Sequence, residues 1–192
     1  MAALLWTLLC SAASAGSVTT LEGLQFFWNL TESNLTVILM MPQPLADVYD
    51  YWGVGFKDSD SKVDMQAANL WVVMKSGQLY DAWSTDNIDP KFPGLGTAHL
   101  LFHVNQSGNF YTKITRALQA ANSAERTFTQ NATLLLLYAF GSIEHGRLLA
   151  HAHGDCGGLT ITLANNYVVS YVPISSVLLG IATAVLGALV LC

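Results

Sequence analysis

The sequence predicts an all-β fold, an antiparallel β-sandwich of the immunoglobulin-like type with about nine strands. Short runs of apolar, β-branched and aromatic residues recur along the chain, as strands require. Turn-forming clusters such as Pro42-Gln43-Pro44 and Lys75-Ser76-Gly77 separate these runs. Only residues 116–126 look helical, and their amphipathic pattern is weak.

The predicted strands fill the chain between its two apolar ends. They are Leu24–Asn29, Leu35–Met41, Tyr51–Phe56, Leu70–Met74, Leu79–Ser84, His99–Asn105, Phe110–Arg116, Leu134–Phe140 and Leu159–Leu163. No internal repeat is visible, so we expect a single folded domain over residues 16–166.

Composition limits the class of protein. The chain has 192 residues, of which 52% are hydrophobic and 11% are charged. This hydrophobic content excludes an intrinsically disordered chain, and the length suits one domain with targeting segments. The formal net charge is −5 and no run of basic residues occurs, which argues against nucleic acid as a partner.

Residues 1–15 are predicted to form a secretory signal peptide. All charged residues of the chain lie between Glu22 and Asp155, so this end is uncharged. Its apolar core leads to Ala13-Ser14-Ala15, small residues of the kind that a signal peptidase accepts. The alternative is a buried N-terminal helix of the folded domain.

Residues 167–192 are predicted to form a hydrophobic membrane anchor. A hydrophobic tail of about 10–20 residues after small residues is typical of a GPI-attachment signal. The candidate attachment residues are Ala164, Asn165, Asn166 and Ser170. The tail is also long enough for a single-pass helix, which needs about 20 apolar residues. Either anchor would hold the domain at the extracellular face of the plasma membrane.

Four N-x-S/T sequons support export independently of the two ends. They begin at Asn29, Asn34, Asn105 and Asn131. Glycosylation at these positions requires that the fold expose all four to water.

Cysteine usage fits a secreted domain without an internal disulfide. Cys10 lies in the predicted signal peptide and Cys192 in the predicted anchor, which leaves Cys156 in the domain. One cysteine cannot form an intramolecular bridge. We expect Cys156 to be buried, paired with another chain, or a metal ligand.

Several short motifs occur in a fixed order along the predicted domain. They are Trp52-x-Gly-x-Gly-Phe56, Met65 before a step of small residues and Asn69, Asp81, Arg116, an aromatic-Ala-x-Gly strand end at Tyr138, and His153-Gly154. In order and spacing they resemble the DOMON family, named after the N-terminal domain of dopamine β-monooxygenase, over residues 22–163. The resemblance implies a β-sandwich, in agreement with the strand pattern.

The resemblance also implies a b-type cytochrome, since many members bind one haem between a methionine and a histidine. Met65 matches the family methionine and His153 the family histidine. His151 is an alternative because both histidines would share one face of a strand. The residues that flank these segments and would form the cofactor slot are Trp52, Phe56, Leu70, Trp71 and Tyr138, and Arg116 is a further cofactor-binding candidate.

A haem b held in this way points to electron transfer. A methionine sulfur favours ferrous iron, and with both axial positions filled the iron has no place for dioxygen. The electron partner would be a separate redox protein or a small reductant such as ascorbate.

Two other functions could use the same residues. His151-x-His153-x-x-Cys156 has the spacing of a copper or zinc site, which would not need Met65. A domain without haem would be a non-redox binding module for a sugar, a catechol or a cell-surface partner. Met65 would then be an ordinary gap-filling methionine, and His153 a surface histidine. The sequence lacks hydrolase motifs and phosphate-binding loops, so we do not expect a hydrolase. The sequence does not decide whether the protein is an enzyme, but it favours an electron-transfer or binding domain over a stand-alone enzyme.

Overall fold

The computed structural model describes residues 16–84, 96–123, 125–145, 147–149, 151 and 155–164. These residues form twelve β-strands and one short helix. The strands are β1 Gly16–Thr19, β2 Gln25–Leu30, β3 Asn34–Met41, β4 Tyr51–Asp58, β5 Ala68–Met74, β6 Leu79–Ser84, β7 His99–Gln106, β8 Asn109–Ala117, β9 Thr133–Gly141, β10 Ile143–Glu144, β11 Arg147–Leu148 and β12 Cys156–Thr162. The helix, α1 Gln43–Ala46, follows β3.

The strands form two five-stranded sheets and a small hairpin. The first sheet has the order β1-β2-β3-β8-β7, and the second has the order β12-β9-β4-β5-β6. Strand β10 pairs with β11. All of these pairings are antiparallel. The β-sandwich predicted from the sequence is confirmed.

The nine predicted strands all occur, with ends that differ by up to three residues. Three further strands, β1, β10 and β11, are too short to show an alternating pattern in the sequence. The weakly helical pattern of residues 116–126 does not produce a helix in the described residues. Strand β8 runs to Ala117, and the backbone of Leu118 then pairs with Ser33 and Phe128 instead of forming a helical turn.

The hydrophobic core lies between the two sheets and is made by alternate residues of each strand. Trp52, Val54 and Phe56 of β4 point into it, as do Trp71 and Val73 of β5. Each of these five side chains is at most 1% exposed. Burial of one such side chain stabilises the fold by about 1.5–3 kcal/mol. The inner faces of the central strands therefore carry much of the stability.

Among the residues that the structure describes, no helix is long and apolar enough to cross a membrane. The predicted signal peptide, residues 1–15, and the predicted anchor, residues 167–192, lie outside the described residues.

Candidate functional site

Strand β4 presents two different faces, because successive side chains of a strand point in opposite directions. The inner face carries the core residues. The outer face carries Tyr51, Gly53, Gly55 and Lys57. A Cβ added at Gly55 would lie only 2.6 Å from Leu70 Cδ2. The two glycines therefore leave a floor of bare backbone in the middle of the second sheet.

A cavity of about 390 Å³ lies on this floor. Its apolar walls include Val63, Leu70, Val72, Leu137, Leu148 and Leu149. Two side chains with electron pairs for a metal, Met65 and His151, also line it. The volume falls within the range of about 300–1,000 Å³ that is common for small-molecule sites.

One wall of the cavity is the connection between β4 and β5, which carries Met65. The Lys57 ammonium group donates to the carbonyl oxygens of Lys62 and Asp64, at 3.1 and 3.2 Å. It also pairs with the Asp64 carboxylate at 2.5 Å, and this contact lowers the pKa of the carboxyl group. The Met65 side chain packs against an apolar cluster that includes Leu70. Strand β4 thus holds the methionine segment at its Lys57 end.

The opposite wall is the segment that contains Leu149 and His151. The Tyr51 hydroxyl donates to the Leu149 carbonyl oxygen at 2.8 Å and lies 3.3 Å from His151 Nδ1. Burial raises the pKa of Tyr51 to about 12, with smaller contributions from the negative charges of Asp155 and Cys156, so this phenol stays protonated. The histidine segment is therefore attached at the Tyr51 end of β4.

Burial also sets the charge of the histidine. It lowers the pKa of His151, while the nearby Asp155 carboxylate acts in the opposite direction. The imidazole is consequently neutral at pH 7, which is the form that binds metals. Tyr51 and Lys57 are about 20 Å apart along the strand, at about 3.3 Å per residue, so Met65 and His151 approach the cavity from opposite ends.

The aromatic residues that the sequence analysis assigned to the cofactor slot lie elsewhere. Trp52, Phe56 and Trp71 fill the core, on the opposite face of the second sheet from the cavity. The Tyr138 ring also turns toward the core, with its centroid 6.2 Å from that of Phe26, although Tyr138 borders the cavity. We therefore remove the first three residues from the candidate site.

Arg116 is also a core residue. Its guanidinium group lies 5.9 Å from the ring centroid of Trp71 and 4.5 Å from that of Phe128. It donates to the Asn69 side-chain oxygen and to the Arg126 backbone oxygen. The side chain is 1% exposed, and it is not part of the cavity lining. Its role is to hold together one end of the sandwich.

The other predicted ligands have mixed outcomes. His153 lies outside the described residues, so its role stays a prediction, as does the copper or zinc site that would use it. Within the described part of the chain, no group of three or more His, Cys, Asp and Glu side chains could hold a metal ion. Cys156 is exposed at the edge of the cavity and forms no disulfide with a described residue, so the expectation that it might be buried is wrong.

The four sequons occupy positions that a glycan could reach. Asn34, Asn105 and Asn131 are exposed, and Asn29 is half-buried on β2. Glycosylation itself stays a prediction.

Sequence reasoning missed the residues that shape the cavity. It noted the motif around Trp52 and Phe56 but assigned the site to the aromatic residues and not to Tyr51, Gly53, Gly55 and Lys57. The signal was present, since these four residues alternate with large apolar ones over a single strand. Strand alternation places them together on the face that is not buried in the core.

Comparison with known proteins supports the fold. No family model matches the chain, and the comparison with curated proteins found no match either. Among solved structures, it is similar to the cytochrome b domain of pyranose dehydrogenase from Coprinopsis cinerea, with a TM-score of 0.55. The match covers 75% of this chain and 78% of that one, at 12% sequence identity. The two chains share a fold.

Proposed function

We propose that the protein is an extracellular haem b electron-transfer domain, with Met65 as one axial ligand and His151 or His153 as the other. The observation that carries the proposal is that Met65 and His151 line one apolar cavity from opposite ends of β4. The fold agrees with it, because a similar solved structure is that of a cytochrome b domain.

The residues of the cavity fit a flat, apolar cofactor. Gly53 and Gly55 give it a floor without side chains, on which the edge of a planar ring can rest between the Met65 wall and the His151 wall. Leu70, Val72 and Leu137 surround this floor and exclude water. Exclusion of water favours ligands without net charge, and both a thioether and a neutral imidazole meet this condition.

Haem, when bound, supplies an iron centre that accepts and releases one electron. The chain supplies the two electron-pair donors. The sulfur of Met65 favours the reduced state, and the imidazole of His151 is neutral because burial lowers its pKa. If Met65 and a histidine of this segment both bound the iron, no site would be left for dioxygen, and a haem held in this way would serve electron transfer.

The electron donor would be a separate redox protein or a small reductant such as ascorbate. Val63 and Leu149 form an exposed apolar rim at the cavity, with 59% and 40% of their surfaces accessible. A donor that approaches this rim comes nearest to the proposed cofactor.

Absorption spectroscopy of the full-length protein, purified from membranes of cells grown with ample haem, tests the proposal. We expect a sharp Soret band that shifts on reduction with dithionite. Met65→Leu should leave iron that readily binds carbon monoxide, because one axial position becomes open. The matched control is Met40→Leu, on β3 in the first sheet, which should leave the spectrum unchanged. An unchanged reduced spectrum in Met65→Leu would exclude this methionine.

The histidine is assigned in the same way. His151→Ala and His153→Ala are compared with His99→Ala, which removes an exposed histidine of β7. We expect one of the first two variants to lose the six-coordinate spectrum and the third to keep it. Retention of the spectrum in all three variants would contradict histidine ligation by this segment.

A colourless protein would favour the second candidate function, a non-redox binding module. The mostly apolar lining of the cavity then favours a flat aromatic ligand such as a catechol over a sugar. Calorimetric titration of the colourless protein with a catechol and with a monosaccharide would separate these ligands.

The extracellular location is part of the proposal. It is supported by the predicted signal peptide and anchor and by the surface positions of the four sequons. We expect an N-glycosidase to lower the apparent mass, and a phosphatidylinositol-specific phospholipase to release the protein from cells. Retention after the phospholipase would favour a single-pass helix, and an unchanged mass after the glycosidase would argue against glycosylation.

A further inference from the structure

We propose that Tyr51 and Lys57 are positioning residues, which hold the two candidate iron ligands at the cavity from one face of β4. The inference rests on the proposed function, because it concerns Met65 and His151 as ligands. Neither positioning residue touches the iron in this scheme. Each acts through hydrogen bonds to the segment that carries a ligand.

The hydrogen bonds of Tyr51 select one tautomer of His151. The tyrosine hydroxyl has a single proton, and it donates this proton to the Leu149 carbonyl oxygen at 2.8 Å, since a carbonyl can only accept. The hydroxyl oxygen is then left to accept a hydrogen bond from the Nδ1–H of His151, with Nδ1 at 3.3 Å. A neutral imidazole with its proton on Nδ1 has its free electron pair on Nε2. Nε2 is therefore the nitrogen prepared to bind a metal.

Lys57 fixes the methionine segment through backbone contacts. It is only 5% exposed, and its three acceptors all belong to Lys62 and Asp64, which lie three residues and one residue before Met65. The Asp64 carboxylate also accepts from the Gln66 backbone N–H at 3.1 Å. The residues on both sides of the methionine are thus tied to one buried ammonium group.

Strand β4 is a suitable base for both attachments because it lies in the middle of the second sheet. It pairs with β5 on one side and with β9 on the other, over nearly its full length. The segments that carry the ligands are connections between strands, which move more readily than the sheet. Attachment to a rigid central strand limits the positions that the sulfur and the imidazole can take.

Nitrogen NMR tests the role of Tyr51. The sample is the full-length protein without haem, labelled in its histidines, at a pH where His151 is neutral. In the wild type we expect the His151 signals of a single tautomer protonated at Nδ1, assigned with His151→Ala. Tyr51→Phe should give a mixture in which the Nε2-protonated form is present. The control, Tyr111→Phe on β8, should resemble the wild type. A wild-type tautomer protonated at Nε2, or no change in Tyr51→Phe, would overturn this part.

Amide hydrogen exchange of the haem-free protein tests the role of Lys57. Lys57→Met should increase the exchange rates of residues 62–68 at least about ten-fold, while β9 keeps its protection. Lys113→Met, on β8, is the matched control and should leave both regions unchanged. If Lys57→Met does not fold, Asp64→Asn removes the ion pair and should increase the same rates. Unchanged exchange of residues 62–68 would overturn this part.

The haem-loaded protein separates failure of positioning from failure of the proposed function. Loss of either attachment should weaken haem affinity about ten-fold or more, as is common when a residue that orients a metal ligand is removed. Tyr51→Phe should also raise the reduction potential, because the imidazole loses the acceptor that makes it a stronger donor. If the wild type binds no haem but both haem-free results hold, the cofactor assignment fails and the positioning of the two segments stands. If haem binds and neither variant changes affinity or potential, the positioning role fails.

Discussion

The two faces of the second sheet contrast sharply, although one strand contributes to both. On the inner face of β4, Trp52, Val54 and Phe56 are fully buried against the first sheet. On the outer face, Gly53 and Gly55 leave backbone open beneath a cavity. The stability of the fold and the space for a ligand thus come from alternate residues of one strand. A substitution on one face therefore does not directly alter the contacts of the other face.

Removal of an inner-face aromatic residue should give the largest effect. Phe56 packs against Trp71 and Phe128, with both centroid distances 5.1 Å. We expect Phe56→Ala to lose about 3–5 kcal/mol in the free energy of unfolding, through lost burial and the cavity left behind. Phe56→Leu, which keeps most of the volume, should lose less than about 1.5 kcal/mol. Urea denaturation measures both, and equal losses would show that the packing of this ring does not matter.

A substitution on the outer face should affect haem affinity more than the free energy of unfolding. A Cβ at Gly53 already meets the Trp71 carbonyl oxygen at 3.3 Å, and the methyl groups of a valine would extend into the cavity. We expect Gly53→Val to reduce haem affinity at least ten-fold, or about 1.4 kcal/mol. The free energy of unfolding should change by less than about 1 kcal/mol, because crowding is offset by the higher strand propensity of valine.

Haem titration and denaturation of the same samples check this profile. Ser17→Val, which also introduces a valine but at an exposed position of β1, should change neither quantity. Normal haem affinity in Gly53→Val would mean that the floor of the cavity does not contact the cofactor.

The carboxylate of Glu125, in the connection between β8 and β9, should show the smallest effect, one that depends on pH. Burial acts to raise the pKa of the Glu125 carboxyl group, but hydrogen bonds from Ala121 and Thr97 outweigh it, so the pKa is lowered. A lowered pKa in the folded state contributes stability above the ordinary value of 4.5, and this contribution is lost as the pH falls through the folded-state value.

Glu125→Gln should therefore cost about 1 kcal/mol at pH 7, where the charged hydrogen bonds are present. The difference between wild type and variant should shrink as the pH falls from 5 to about 3. Thermal unfolding at a series of pH values measures it, with Glu32→Gln at an exposed turn as the control. A difference that stays constant over this range would contradict the role given to the carboxylate.

The contrast between the two faces also explains what the sequence could predict. All nine predicted strands occur. A strand buried on one side needs apolar residues at alternate positions, and this pattern is visible in the sequence. The short strands β1, β10 and β11 depend on tertiary pairing, so they leave no local pattern.

The site was harder to predict than the fold. Met65, which the family resemblance had singled out, and His151, the alternative to His153, both line the cavity. Trp52, Phe56 and Trp71 were assigned to the slot because they neighbour these segments in sequence, but sequence proximity does not tell which side of a sheet a residue faces. The contacts of Tyr51 and Lys57 join residues across connections whose path only the three-dimensional structure reveals.

The alternation within β4 has a consequence for how this protein can change over generations. An insertion of a single residue in the middle of the strand would move every following side chain of the strand to the opposite face of the sheet. Indole and phenyl rings would be exposed to water, while positions without side chains would fall in the interior and leave it hollow. Insertions and deletions here should be lethal to folding, so variation is confined to point replacements, and a lineage could abandon the ligand while retaining the scaffold.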